Sequence, residues 1–151
     1  MTDPDRYRLH QSLGYQLSLA ARLQERRLDD WLKPLGMTRT SWCVLLAVGN
    51  EGLIHPSAIA KFVGIDRTAT SRALRQMEAA GMIARRAGKD DRRMTAVHLT
   101  PYGETLLQQG TPLAKHNNAI MEERLGEHEN ALLRKLLLKI REGEGMALPR
   151  L

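Results

Sequence analysis

The sequence predicts a mainly α-helical fold with one small β-hairpin, on three observations. Apolar residues recur at helical spacing in several long stretches, and Pro or Gly stands where these stretches begin or end. Two short, partly alternating runs, MIARRA and MTAVHL, flank the charged loop GKDDRR, as expected for two strands and their connection. The length of 151 residues suits one domain, and 42% hydrophobic with 26% charged residues is typical of globular chains.

Two helices are predicted at the front of the chain. Residues 6–32 form a long first helix that Pro34 closes. Its apolar face is made by Leu9, Leu13, Leu17, Leu23, Leu28 and Leu32. The stretch MTRTSWCVLLAVGNEG predicts a second helix, capped near Thr38 or Thr40 and ending at the glycines of GNEG.

The next two helices are joined by a very short turn. HPSAIAKFVG has Pro56 at a first helical position and Gly64 at its end. IDRTATSRALRQMEAAG follows, with Asp66 as its N-cap and Gly81 just past its last turn. Two helices in this arrangement form a helix-turn-helix, and the hairpin behind them makes a winged version of that motif.

Two further helices follow the hairpin. Thr100 caps a helix that starts at Pro101 and runs to about Leu125, with a bend expected near Gly110 and Pro112. EHENALLRKLLLKIRE predicts a last helix with one leucine-rich face. That face consists of Leu132, Leu133, Leu136, Leu137 and Ile140.

The first and last helices carry more leucine than a small lobe covers. Packing of one against the other within the chain accounts for part of this surface, and a symmetric homodimer is expected to bury the rest. We therefore expect one domain over residues 1–151. Residues 35–100 form a winged helix-turn-helix lobe, and residues 6–32 and 101–143, the N- and C-terminal helices, form a helical dimerisation region.

The positive charge is concentrated in the predicted lobe. The formal net charge is +6, and the segment from Pro56 to Thr95, with nine basic residues and four acids, supplies +5 of it. A basic segment between nearly neutral arms is typical of a nucleic-acid-binding surface. A single cysteine, Cys43, indicates a reducing compartment, and MTDPDRYRLHQ does not resemble a signal peptide, so a cytoplasmic protein is expected.

The helix from Arg67 has the two faces that a DNA-reading helix needs. By helical phase, Ala73, Leu74, Met77 and Ala80 lie on the inward side, together with Thr70. The outward residues expected to bind DNA are Thr68, Ser71, Arg72, Arg75 and Gln76. An ordinary amphipathic helix with a solvated face is the alternative. The neighbouring short helix and the basic hairpin favour DNA binding.

The hairpin loop adds two arginines to this surface. Arg92 and Arg93 are expected near its tip, where an arginine is able to enter the minor groove, with Asp91 orienting Arg93. The alternative is a charged tip that only keeps the sheet edge soluble.

These stretches resemble the MarR family of winged helix-turn-helix transcriptional regulators. DRTATSRALRQMEAAGMIARR and DDRRMTAVHLTPYG carry the pattern, at Gly81, Ile83 and Arg85, then Asp91 and Arg93, then Leu99, Thr100 and Gly103. The resemblance implies a homodimer on a pseudo-palindromic operator in double-stranded DNA, usually acting as a repressor. It places Thr68, Ser71, Arg72 and Arg75 at the major groove and Arg93 at the minor groove.

The same resemblance implies a small aromatic or phenolic effector, bound where the dimer helices meet the lobe. The residues expected to line such a site are His10, Tyr15, Trp31, Met37 and Trp42. Core or interface packing is the alternative role for these side chains. Cys43 has no neighbour in the sequence that would lower the pKa of its thiol, so an inert thiol is expected rather than an oxidation sensor.

Other classes of function find little support in the sequence. We find no phosphate-binding glycine loop, nucleophile elbow or metal-ligand spacing, so neither an enzyme nor a cofactor or metal site is expected. The remaining alternative is a winged-helix module that binds protein or RNA without operator specificity. Steep salt dependence would distinguish DNA binding from an apolar protein interface.

Overall fold

The computed structural model describes residues 3–87, 95–145 and 147–151. These residues form six α-helices and a two-stranded antiparallel sheet. The helices are α1 (Leu13–Leu32), α2 (Arg39–Gly49), α3 (Pro56–Val63), α4 (Arg67–Ala79), α5 (Pro101–Glu122) and α6 (Glu127–Arg141), and the strands are β1 (Ile83–Ala87) and β2 (Thr95–Leu99). The predicted mainly α fold with a small β-wing is confirmed.

The first helix is shorter than predicted. Residues 9–11 form a 3-10 turn, and α1 begins only at Leu13 because Ser12 is extended and caps it. The Ser12 hydroxyl oxygen accepts a hydrogen bond from the Tyr15 N–H at 3.3 Å. A predicted helix over 6–32 was therefore wrong for its first seven residues, because leucine spacing continues across a local cap.

The caps of the lobe helices lie where the sequence placed them. Thr38 and Ser41 form a reciprocal capping box at the start of α2. The Asp66 carboxylate accepts a hydrogen bond from the Ala69 N–H at 2.8 Å at the start of α4. Gly64 and Gly81 adopt the left-handed backbone conformation that ends α3 and follows α4, with φ of 85° and 74°.

The core lies inside the lobe, between α2, α3, α4 and the hairpin. Its side chains with almost no exposure include Val44, Leu45, Ile59, Leu74, Ile83 and Val97. In the hairpin Ile83 pairs with Leu99 and Ala87 with Thr95. The Val97 N–H also donates to the Ile54 carbonyl at 2.8 Å, which holds the hairpin against the loop between α2 and α3.

The long helix α5 is continuous through Pro112 and packs closely on the lobe at two glycines. A Cβ at Gly103 would overlap the Met82 carbonyl oxygen. A Cβ at Gly110 would lie 2.5 Å from a ring carbon of Trp42. Small residues at these two sites therefore bring α5 into direct contact with the lobe.

Beyond the lobe, α5 packs along α1. Asn117 of α5 is buried; its Oδ1 accepts from Arg27 Nε at 2.7 Å and its Nδ2 donates to Gln24 Oε1 at 3.1 Å. This polar contact fixes the relative register of the two helices.

The leucine-rich face of α6 stays exposed within one chain. The exposed apolar residues of this face are Leu132, Leu133, Leu136, Leu137 and Ile140, and Leu138 is exposed beside them. Near the start of α1, Leu9 and Leu13 are exposed as well. The expected packing of the first helix on the last is not found among the described residues: α1 packs on α5 instead, and no residue of α6 is buried. Among the described residues, no helix combines the length and the apolar character needed to cross a membrane.

Candidate nucleic-acid interface

The outward face of α4 is polar, basic and open to solvent. Thr68, Ser71, Arg72, Arg75 and Gln76 are all exposed, and Ala73, Leu74 and Met77 are buried beneath them. The helical phase predicted this division correctly at every position except Ala80, which was expected to be inward. Ala80 is exposed because it is the C-cap residue, beyond the last turn that packs on the core.

Thr70 lies on the inward side, as its phase predicted. It is 2% exposed, and its hydroxyl donates to the Asp66 carbonyl at 2.8 Å. The Thr70 hydroxyl is therefore buried and bonded to its own helix, which leaves it without access to a DNA base.

One flank of α4 forms a basic cleft with the start of α3. The cleft has a volume of about 880 Å³. Its polar lining includes His55, Ser57, Lys61, Arg67, Ser71 and Thr95, together with one acid, Asp66. His55, Lys61 and Arg67 were not among the predicted site residues, although the helical phase of α3 with α4 would have placed Lys61 beside Arg67.

The opposite flank of α4 faces the start of α2 and a second, smaller cleft. This cleft has a volume of about 340 Å³, and Arg72 and Gln76 line it. Pro149 and Arg150, from the segment that follows α6, close its outer side. The outward face of α4 is therefore bordered by basic residues on both flanks.

The wing is connected to α4 by an ion pair. Arg85 Nε of β1 lies 3.4 Å from Glu78 Oε2 of α4, so the one acid of α4 has a guanidinium partner. Arg86, the next residue, is exposed. The predicted wing-tip residues Asp91, Arg92 and Arg93 lie outside the described residues.

The five residues predicted to line a ligand site do not come together within the chain. The His10 and Tyr15 rings meet edge to face, 5.3 Å apart, at the start of α1. Met37 and Trp42 are 3% and 4% exposed in the core beneath Gly110. Trp31 instead stacks on His116 of α5, with ring centroids 5.1 Å apart.

Cys43 lies half-buried on α2 and packs against the core. Burial raises the pKa of its thiol, and the nearby Arg39 guanidinium opposes this effect only in part. A neutral thiol has little nucleophilicity, so its surroundings suit an inert residue. No group of three or more metal-ligating side chains occurs in the part of the chain that the structure describes.

Comparison with known proteins agrees with this geometry. The model of the MarR family matches residues 35–94, from the end of the α1–α2 connection into the wing. A mutant MarR from E. coli, complexed with operator DNA, is 26% identical to this chain. The match covers 85% of this chain and 92% of that one, with a TM-score of 0.78.

Two more distant structures share the fold over nearly the whole chain. BpsR of Bordetella bronchiseptica, whose DNA binding is regulated by 6-hydroxynicotinic acid, is 22% identical, with 92% and 99% coverage and a TM-score of 0.84. The organohalide-sensing regulator RdhR-CbdbA1625, in its 2,4-dichlorophenol-bound form, is 19% identical, with 95% and 86% coverage and a TM-score of 0.84.

The family model covers the winged lobe, and the structural matches extend over both α1 and the helices behind the wing. The winged lobe therefore matches the MarR family of winged helix-turn-helix transcriptional regulators over residues 35–94, and the chain as a whole is similar in fold to MarR of E. coli.

Proposed function

We propose that the chain is a homodimeric repressor that binds a pseudo-palindromic operator in double-stranded DNA and is released by a small aromatic ligand. The observation that carries the proposal is the outward face of α4. Five exposed polar or basic side chains lie there, and the helix's only acid is paired with Arg85. The E. coli MarR complex with operator DNA supports it by family relationship.

On this proposal α4 enters the major groove. Arg72 and Arg75 are suited to bidentate hydrogen bonds with guanine, and Gln76 to adenine. Thr68 and Ser71 have hydroxyls for base edges or phosphates. Lys61 and Arg67, on the flank next to α3, contact the phosphate backbone.

The wing completes the proposed interface. We assign Arg92 and Arg93 to the minor groove and Asp91 to the orientation of Arg93, as the sequence predicts. Residues 35–100 are the DNA-binding lobe in this proposal.

The exposed leucines of α6 support the dimer. An apolar helix face of this length is normally covered in solution, and a two-fold interface buries it without leaving an open end. Residues 6–32 and 101–143 supply the interface. A two-fold dimer presents two α4 helices to successive major grooves, about 34 Å apart.

The effector position is inferred from a stacked aromatic pair and from two structural matches. The folds of BpsR and RdhR-CbdbA1625 accommodate small aromatic compounds, and this chain has a stacked Trp31–His116 pair between α1 and α5. We place the effector beside this pair, with His10 and Tyr15 as further candidates. Met37 and Trp42 are more simply explained by core packing, since both are buried within one chain.

The test is fluorescence anisotropy on duplexes from the DNA flanking the protein's own gene, with excess random-sequence competitor. Arg72→Ala and Arg75→Ala are each expected to weaken specific binding by about 1–3 kcal/mol. Lys115→Ala, which removes an exposed charge from α5, is the matched control and should leave binding unchanged. Binding that resists competitor and falls only in the α4 variants supports the proposal. No binding to any DNA at low salt refutes it and favours a protein- or RNA-binding module.

Repression and release need separate readouts. A reporter gene placed behind the bound duplex should be more active without the protein than with it; the reverse result indicates an activator. Titration of 6-hydroxynicotinic acid and 2,4-dichlorophenol into the complex tests release. Loss of anisotropy in wild type but not in Trp31→Ala would support the proposed effector position.

A further inference from the structure

The segment 147–151, which follows α6, returns to the helix-turn-helix. Leu148 forms a parallel bridge with Ile65 in the turn between α3 and α4. The Asp66 N–H donates to the Leu148 carbonyl at 2.7 Å, and the Leu148 N–H donates to the Gly64 carbonyl at 3.0 Å. Two backbone groups of the turn are satisfied in this way, so the segment is held at a fixed position beside α4.

From Leu148 the segment continues along one flank of α4. Pro149 and Arg150 border the cleft that Arg72 and Gln76 line from the other side. The basic cleft with Lys61 and Arg67 lies on the opposite flank. Ala147, at the start of the segment, lines that cleft as well, so the segment crosses from the α3 side of α4 to the flank that Pro149 and Arg150 border.

The segment does not cover the outward face of α4. With the segment in place, Thr68, Ser71, Arg72, Arg75 and Gln76 all remain exposed. A segment that blocked DNA would have to bury this face or present acids to it. Pro149 and Arg150 do neither.

Arg150 is placed and charged for a phosphate. A helix lying in the major groove has a sugar-phosphate backbone along each flank. Arg150 is exposed and forms no ion pair with any described residue. Pro149 restricts the backbone immediately before it, which lowers the entropy lost when the arginine is held at one position.

We propose that residues 147–151 are a second phosphate-binding element of the DNA interface, in which Arg150 binds the backbone along the flank of α4 opposite α3. This inference rests on the proposed function, since it requires α4 in the major groove. The ligand is a DNA phosphate, and the contact is independent of base sequence.

The test is the salt dependence of binding to a fluorescein-labelled random-sequence duplex of about 30 base pairs, long enough for two half-sites. Arg150→Ala should reduce the slope of log K against log salt by about 0.9 per protomer, or about 1.8 for a dimer. Arg150→Lys should keep the wild-type slope, because the charge remains. Leu148→Pro keeps Arg150 but removes the N–H that donates to Gly64, and should reduce the slope as Arg150→Ala does.

Two reference variants separate the possible outcomes. Lys115→Ala removes one exposed charge from α5, which makes no substantial contact with α4, and should not change the slope. Arg75→Ala reports on DNA binding by α4 itself. If Arg75→Ala weakens binding and Arg150→Ala has no effect, the role of the segment is refuted and the proposed function stands. If deletion of residues 147–151 tightens binding, the segment opposes DNA and the inference is wrong. Absence of binding by wild type refutes the proposed function itself.

Discussion

Gly103 is the residue whose replacement tests the fold most directly. It lies in the first turn of α5, and a Cβ there would overlap the Met82 carbonyl oxygen and lie 3.1 Å from the Met82 carbonyl carbon. The same carbonyl accepts hydrogen bonds from the Thr100 N–H at 3.2 Å and the Thr100 hydroxyl at 3.1 Å. Gly103→Ala must therefore displace backbone that two hydrogen bonds hold, not the end of a flexible side chain.

Three contributions determine the change in the free energy of unfolding, of which two are destabilising and one is stabilising. Overpacking costs about 1–3 kcal/mol. Weakening the two hydrogen bonds of Thr100 adds about 0.5–1.5 kcal/mol each. The better helix propensity of Ala returns about 1 kcal/mol. We expect Gly103→Ala to lower the free energy of unfolding by about 1–5 kcal/mol, and each kcal/mol to lower Tm by about 2–4 °C.

Urea denaturation followed by circular dichroism, at one fixed protein concentration, measures this effect. Gly14→Ala is the matched control, since it is also a helical glycine and its Cβ would meet only the Ser12 hydroxyl oxygen, at 3.8 Å. Gly14→Ala should be neutral or stabilising. Equal behaviour of the two variants would refute the argument that the Met82 carbonyl excludes a side chain at position 103.

Three other predictions concern single side chains. Asp66→Ala should cost about 1 kcal/mol in urea denaturation through loss of the α4 cap, and Asp66→Asn should recover most of it. Asn117→Leu should cost about 1–3 kcal/mol because Arg27 loses its acceptor at the α1–α5 contact; a neutral result would mean that the contact does not hold the helices together. The raised pKa of Cys43 favours the neutral thiol in the folded chain. Its contribution to stability is complete below the unfolded value near 9.0 and is lost as the pH rises above it. Urea denaturation at pH 7 and pH 10 should therefore show a larger loss for wild type than for Cys43→Ala.

The lobe could be predicted from the sequence because its signals are local. Asp66 as a cap, Gly81 after a helix and the spacing of Leu74 and Met77 each act within one or two turns of chain. The same locality explains an error. Leucine spacing runs past Ser12 without interruption, and only the geometry of that residue shows that the helix begins after it.

What the sequence did not predict depends on contacts between distant residues. The Trp31–His116 stack joins α1 to α5, and aromatic character alone did not separate Trp31 from Trp42, which is core. Leu148 and Ile65 are paired through their backbones, so no pattern of side chains in the sequence predicts this contact. The position of Lys61 could have been predicted from the sequence, because the helical phases of α3 and α4 place its side chain beside Arg67.

The two glycines of α5 also couple this helix mechanically to the lobe. Gly103 and Gly110 bring the backbone of α5 against Met82 and Trp42. We therefore expect the lobe and this helix to move as one rigid unit. The 22 residues of α5 give this helix a length of about 33 Å. A rotation of about 10° at its far end, near the link to α6, carries the wing end through about 6 Å. In the proposed dimer that displacement changes the separation of the two α4 helices, which then no longer matches a half-site spacing of about 34 Å. A ligand beside Trp31 and His116, within two helical turns of that end, would need to produce only a small rotation to release DNA.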